Sequence, residues 1–276
     1  MKLKLVGAFA TIAILCSFNL APAQALTAPP LPTTYAAAGD SISRAFDVNS
    51  SCFLKDCPAY SWATGTVAAN QSISVRIQSA LASSGKTLTS YNVAKTGAMM
   101  KDLDAQLVTA KTYNPQFVSI MMGANDVCTK TIAGMTPTAT FQTQFETAMT
   151  KFTSNNPTAF IYVSSIPNIY TLYSTFSKST SAKSTWALFG ICQSMLSSRN
   201  TEAQRQQVLT QLKADNQALA DVCLKFSANC RYDGGATFNT VFTATDVSTV
   251  DYFHPSVAGQ VKLAQTAWTA GYWPTP

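Results

Sequence analysis

Imidazole is nearly absent from this chain: among 276 residues there is one histidine, His254. A zinc site built on several histidines is thereby excluded, and no Cys-x-x-Cys pair offers a thiolate alternative. Charge is scarce too. Asp, Glu, Lys and Arg make up 12% of the sequence, and the net charge of +6 falls by two once Lys2 and Lys4 are set aside. The remaining cations are scattered, with no basic run, so the chain is not read as a nucleic-acid binder. Internal repeats and heptads are missing, which removes repeat arrays and coiled coils. No hydrophobic run is long enough to span a bilayer: the apolar stretch at residues 5–15 extends only weakly to Leu20, interrupted by Ser17 and Asn19.

What is present at that end is a secretory pattern. Lys2 and Lys4 make a basic start, the apolar stretch follows, and Ala23-Gln24-Ala25 fits the small-x-small cleavage rule. Residues 1–25 are therefore expected to be a signal peptide, with a mature chain starting near Leu26, no stable membrane anchor and an extracellular destination. A Pro-rich linker over 26–33 precedes a single domain over 34–276, long enough for one full core. A monomer is expected.

Seven cysteines become six when Cys16 leaves with the signal, an even number for an oxidising compartment. Loop length favours the sequential pairing Cys52–Cys57, Cys128–Cys192 and Cys223–Cys230, one of fifteen connectivities. Cys128 is then no thiol nucleophile.

Helical periodicity marks four segments. Ile73, Ile77, Ala80 and Leu81 share a face in 72–84, as do Phe141, Phe145, Ala148, Met149 and Phe152 in 140–153. In 201–226 the face is Val208, Leu212, Leu219, Val222 and Phe226; in 256–269 it is Val257, Val261, Ala264 and Trp268. Short apolar runs at 34–38, 88–93, 117–122, 160–164 and 229–232 read as buried strands. Their alternation with the helices predicts a parallel sheet flanked by helices. Residues 166–196, rich in Ser, Thr and aromatics, break the rhythm and read as a long inserted loop with no lid helix evident. Its Tyr170, Tyr173, Phe176, Trp186 and Phe189 can line an acyl groove or form the loop's own small core.

The first three strands are each followed by a polar or glycine-rich turn: Gly39-Asp40-Ser41, Ala94-Lys95-Thr96-Gly97 and Gly123-Ala124-Asn125-Asp126. In a parallel sheet these turns share one edge, the edge where ligands bind. Ser41 is a candidate nucleophile, and the one histidine, His254, has to be its base. Asp251 lies three residues before His254, close enough to orient the ring. The backbone N–H groups of Ser41 and Gly97 and the amide of Asn125 are candidate oxyanion donors. Asp40 and Asp126 read as turn, capping or local pairing residues.

These four blocks, ending at Asp251-Tyr252-Phe253-His254-Pro255, resemble in order the GDSL, or SGNH, hydrolases, with Ile42 where the family name has Leu. The resemblance spans residues 39–255. It implies a three-layer α/β/α sandwich with a five-stranded parallel sheet, flavodoxin-like, and serine hydrolysis of carboxylic esters without metal or organic cofactor. It implies Ser41, His254 and Asp251 as catalytic residues and Ser41, Gly97 and Asn125 as the oxyanion hole. The run Asp56-Cys57-Pro58-Ala59-Tyr60-Ser61-Trp62, with the six cysteines, is similar to the secreted, disulfide-bearing lipase and phospholipase-like branch. A small-molecule or lipid ester is the expected substrate. A carbohydrate acetyl esterase of the same fold and a non-catalytic binding module are the alternatives.

Overall fold

Three successive alanines at 36–38, all fully buried, make the middle of strand β1 (Thr34–Gly39), and their small side chains let the flanking layers approach closely. The computed structural model describes residues 28–274; the expected signal segment 1–25, with Cys16, and the expected mature start lie outside the described residues. After β1 come α1 (Ile73–Ala82), β2 (Thr89–Asn92), α2 (Leu103–Lys111) and β3 (Phe117–Met121). Then follow α3 (Ala124–Val127), α4 (Thr138–Asn155), β4 (Phe160–Val163), α5 (Ile169–Phe176), α6 (Thr180–Leu188) and α7 (Gln193–Leu196). The chain closes with α8 (Glu202–Lys225), β5 (Cys230–Tyr232), α9 (Ala236–Asn239) and α10 (Val257–Ala270).

The five strands form one parallel sheet in the order β2-β1-β3-β4-β5. Helices α2, α4 and α8 pack side by side in one layer, while α1 and α10 meet in the other, giving the expected α/β/α sandwich. With this order the winding reverses between β1 and β3, and the crevice at their carboxyl ends is where such sheets bind ligands. The register levels those ends: Ala38 pairs with Ile120 and Gly39 with Met121. The segments carrying Ser41 and Asn125 therefore leave the sheet side by side. Gly39 is required there, because a Cβ would lie 2.5 Å from both the Met121 carbonyl oxygen and Ser43 Oγ.

Helix ends are written locally. Ser72 Oγ accepts the Val75 N–H at the start of α1. Thr201 and Gln204 exchange side-chain and backbone hydrogen bonds as a capping box for α8, and Ser256 Oγ accepts the Gly259 N–H at α10. The buried face of α4 is the one its periodicity predicts.

Three expectations need correction. Residues 166–196 are not an irregular loop but contain α5, α6 and α7, helices of eight, nine and four residues that are too short for a period to stand out over the Ser and Thr around them. Asn168 and Ser179 cap α5 and α6 by accepting backbone N–H groups. Helix α2, absent from the sequence reading, buries Leu103, Gln106, Leu107 and Ala110. The buried face of α10 centres on Gln260, Leu263, Ala264 and Ala267, with Val257 and Val261 at its margin, because a polar residue occupies the middle of the face.

The cysteines pair sequentially, Cys52–Cys57, Cys128–Cys192 and Cys223–Cys230. The second spans 64 positions and ties α7 to the end of α3. Closing a loop of that length in the unfolded chain is worth about 4 kcal/mol in chain entropy.

Candidate active site

The turn after β1 is held through several of its backbone groups by side chains from distant elements. The buried Gln106 of α2 accepts the Gly39 N–H at 2.8 Å and donates to the Gly39 carbonyl at 2.9 Å. The buried Gln260 of α10 donates to the Ile42 carbonyl at 2.9 Å while accepting the Trp62 N–H at 2.8 Å. Asn92, at the end of β2, and Ser61 both donate to the Ser43 carbonyl, each at 2.8 Å. Asp40 Oδ1 accepts the Ile42 N–H at 2.9 Å, so Asp40 has the turn-stabilising role its position suggests. Burial lifts its carboxyl pKa to about 6, against that hydrogen bond and the nearby imidazole.

On this frame Ser41 Oγ lies 2.8 Å from His254 Nε2, and His254 Nδ1 lies 2.5 Å from Asp251 Oδ2. The other carboxylate oxygen of Asp251 accepts the N–H groups of Phe253 at 2.9 Å and His254 at 3.0 Å. The short Asp-x-x-His spacing closes because Tyr252 takes a left-handed conformation, φ 56°. Trp186 of α6 braces that residue by donating its indole N–H to the Tyr252 carbonyl at 3.1 Å. Val247 bridges Pro255, and Ser248 N–H donates to the His254 carbonyl at 2.8 Å, which anchors the segment from the other side.

Burial opposes charging the imidazole, but the Asp251 hydrogen bond and charge, with Asp40 and Asp47 behind it, outweigh this and raise the His254 pKa. Both ring nitrogens are engaged, one by Asp251 and one by Ser41, which leaves neither free for a metal. Among the described residues, Asp47, Asp251 and His254 are the group of potential ligands whose atoms fall within 4.8 Å of one another.

The two other strand-end segments flank the serine. The Lys95 N–H donates to the Gly39 carbonyl, so the Gly97 loop runs beside the Ser41 turn. Gly97 has φ +79°, a conformation that excludes side chains on backbone grounds, and the space where its Cβ would sit is open. Asn125 Nδ2 donates to the Ala98 carbonyl at 2.9 Å, which aims the amide at this loop and leaves its second proton for another acceptor. Asp126 turns away: it is buried and accepts the Met100 N–H at 2.8 Å.

A mostly apolar pocket of about 60 Å³ is bounded by Ile42, Ala124, Ile169, Leu172, Phe242 and Phe253, of which Ile42, Ala124 and Phe253 are chain neighbours of Ser41, Asn125 and His254. Its walls come from residues next to Ser41, Asn125 and His254 and from helix α5. Of the two readings of the aromatic residues in 166–196, the structure favours the small core: none of them lines this pocket. Phe176 and Trp186 meet edge to face at 6.5 Å in the interior of the insert, Tyr173 lies beneath Arg205, and Phe189 is half exposed. Phe176 and Trp186 also brace Tyr252, the first edge to face at 5.7 Å and the second through its indole N–H.

Sequence reasoning missed Gln106, Gln260, Asn92 and Asp47. The one available signal was a polar residue inside an otherwise apolar helical stripe, as at Gln260.

The sequence model of the GDSL-like lipase/acylhydrolase family matches residues 35–267. No curated protein sequence matches the chain. Among solved structures, a variant of an acetyl xylan esterase from Geobacillus stearothermophilus shares 17% identity at a TM-score of 0.50, covering 88% of this chain and 97% of that one. An active-site mutant of a family two carbohydrate esterase from Clostridium thermocellum, in complex with a cellulose hexasaccharide, gives 16% and 0.52, covering 87% of this chain and 64% of that one. An extracellular lipase from Streptomyces rimosus gives 18% and 0.49, covering 83% and 94%. At these identities the likeness is one of fold.

Proposed function

This chain belongs to the GDSL-like lipase/acylhydrolase family, and from that premise we propose that it hydrolyses hydrophobic carboxylic esters through an acyl-enzyme on Ser41. The observation carrying the proposal is the relay Ser41 Oγ–His254 Nε2 and His254 Nδ1–Asp251 Oδ2, at 2.8 and 2.5 Å, beside an apolar pocket.

Ser41 Oγ attacks the ester carbonyl as its proton passes to His254 Nε2. Negative charge on the carbonyl oxygen is met by the N–H groups of Ser41 and Gly97 and by the free amide proton of Asn125. The imidazolium, held by Asp251, returns the proton to the departing alkoxide. Water, deprotonated by the same nitrogen, then attacks the acyl group and releases the acid and Ser41. Secretion belongs to the same proposal: three disulfides form and persist in an oxidising compartment. The domain over 34–276 follows the signal segment 1–25 and the linker 26–33. Among the described residues no helix is long and apolar enough to cross a membrane.

The pocket has room for roughly four or five water-sized groups, which suits a short aliphatic acyl chain better than an acetyl group alone. Each methylene buried there is worth about 0.8 kcal/mol, roughly fourfold in kcat/KM. Rates for p-nitrophenyl esters are therefore expected to climb from acetate to a maximum near butyrate or hexanoate, and a fluorophosphonate should label Ser41. A profile peaking at acetate favours the carbohydrate acetyl esterase, and no labelling favours a binding module.

The base works only as neutral imidazole, and its raised pKa means that it charges at higher pH than an ordinary histidine. Activity is thus expected to fall on acidification with a midpoint above about 6.5. The pH dependence of kcat/KM measures this; a midpoint below that value contradicts the role of Asp251.

A further inference from the structure

The two backbone N–H groups that meet the oxyanion come from separate segments, Ser41 from the turn after β1 and Gly97 from the loop after β2. Their spacing depends on what joins those segments. One tie is made by the backbone: the Lys95 N–H donates to the Gly39 carbonyl at 3.1 Å. It lies two residues short of Gly97. Beyond it the loop has little to lean on, because no atom outside the neighbouring residues comes within 4 Å of where a Gly97 Cβ would stand. The side chain that spans the gap is Asp56. Its Oδ2 accepts Arg44 Nε at 2.9 Å, three positions after Ser41. Its Oδ1 accepts the Thr96 hydroxyl at 2.5 Å, next to Gly97. Each oxygen thus holds one of the two segments.

Both ends of this link are anchored. Cys57, the residue after Asp56, closes the disulfide with Cys52 and donates its N–H to the Arg44 carbonyl at 3.1 Å. Arg44 also reaches the Asn92 carbonyl at 3.4 Å, where β2 runs out toward the glycine loop. We propose that Asp56 is a positioning residue for the oxyanion hole: its carboxylate clamps the Arg44 end of the serine turn to Thr96 and so sets the Gly97 N–H beside the Ser41 N–H. This rests on Ser41 and Gly97 acting as proposed above. A displaced N–H still donates, though less well, so losing the clamp should cost less than the roughly 10²- to 10³-fold of deleting a donor outright. The Arg44–Asp56 pair is partly exposed, and such pairs add little to stability, so the fold should stand without it.

Asp56→Ala removes both links, and its kcat for p-nitrophenyl butyrate is expected to fall roughly 10- to 100-fold with KM within about threefold. Thr96→Val keeps the side-chain shape and the Arg44–Asp56 pair but removes the hydroxyl, and should cost about tenfold in kcat. Thr96→Ser restores the donor and should recover kcat to within about threefold of wild type. Two further readouts separate positioning from general damage. Butylboronic acid bonds its boron to Ser41 Oγ and places a boronate oxygen where the ester oxygen carries charge. Its Ki should therefore rise by the factor by which kcat/KM falls. The acid limb of kcat/KM should stay where wild type has it, because the contacts of His254 with Ser41 and Asp251 are untouched. If Asp56→Ala does not fold, the two Thr96 variants carry the comparison. Wild-type kcat in a folded Thr96→Val variant overturns the proposal. So does a displaced acid limb, which would mark Asp56 as a charge acting on His254, or a loss of kcat with unchanged boronic acid Ki, which would place the damage outside the oxyanion hole. Failure of the underlying mechanism is distinguishable: wild-type protein would then show no ester hydrolysis and no fluorophosphonate labelling.

Discussion

Ser41→Ala is expected to lower kcat/KM for a p-nitrophenyl ester by about 10⁴-fold or more while the protein stays folded. The magnitude follows from loss of the covalent step, since removing one member of a serine–histidine pair costs nearly as much as removing the pair. Nothing nearby can substitute. Ser43 is committed, its hydroxyl taking the Trp62 indole N–H at 3.3 Å and its carbonyl taking Asn92 and Ser61. The one histidine faces Ser41. The fold should tolerate the change because the turn is held through backbone groups by Gln106 and Gln260, and the Ser41 side chain contributes only its contact with the ring. The measurement is steady-state hydrolysis beside a thermal melt and fluorophosphonate labelling. Near-normal turnover by a folded variant would end the acyl-enzyme reading. A combined Ser41→Ala and His254→Ala variant should lose little beyond either change alone.

Asn125→Ala is expected to lower kcat by roughly 10²- to 10³-fold, the usual cost of removing one oxyanion donor. In the proposed mechanism the charge on the carbonyl oxygen develops only as Ser41 attacks, so the loss should fall on kcat, with KM moving less than about threefold. The side chain also donates to the Ala98 carbonyl, and deleting it frees the loop that carries Gly97. Asn125→Asp serves as the comparison: it keeps the shape but places a carboxylate where negative charge develops, and should lose at least as much. An alanine variant with unchanged kcat would remove Asn125 from the oxyanion site.

The parts of the site that were legible share a local signature. Gly39-Asp40-Ser41, the Gly97 turn, Asn125 and the Asp251–His254 segment each announce themselves within a few residues, by a strand ending in a turn or by an acid three positions from a base. Four of the helices were legible because burial on one face imposes a period, and the central strands because burial on both faces leaves a continuous apolar run; β2, read as buried, is a half-exposed edge strand. Helices α5 to α7 were not, because they are only eight, nine and four residues long, and α5 and α6 are fixed by caps and by contacts such as Trp186 with Tyr252. The pocket wall was not legible either. Composition could not choose between a groove and a core for these aromatics, whereas the pocket walls include Ile42, Ala124 and Phe253, chain neighbours of Ser41, Asn125 and His254, with Phe242 and with Ile169 and Leu172 of α5.

The order of the chain alone determined which chemistry is available: one imidazole, a serine at the end of a buried strand, an acid within reach of the base, and cysteines spaced for local bridges. Only the tertiary structure decided what holds that chemistry in register. Gln260 reaches the Ile42 carbonyl across 218 positions of sequence, and Gln106 reaches Gly39 across 67. Asp47 comes within 4.8 Å of Asp251 and His254 only through the fold. A buried polar side chain is set by the partner that satisfies it, and when that partner is brought by the fold, no pattern along the chain can mark the pair.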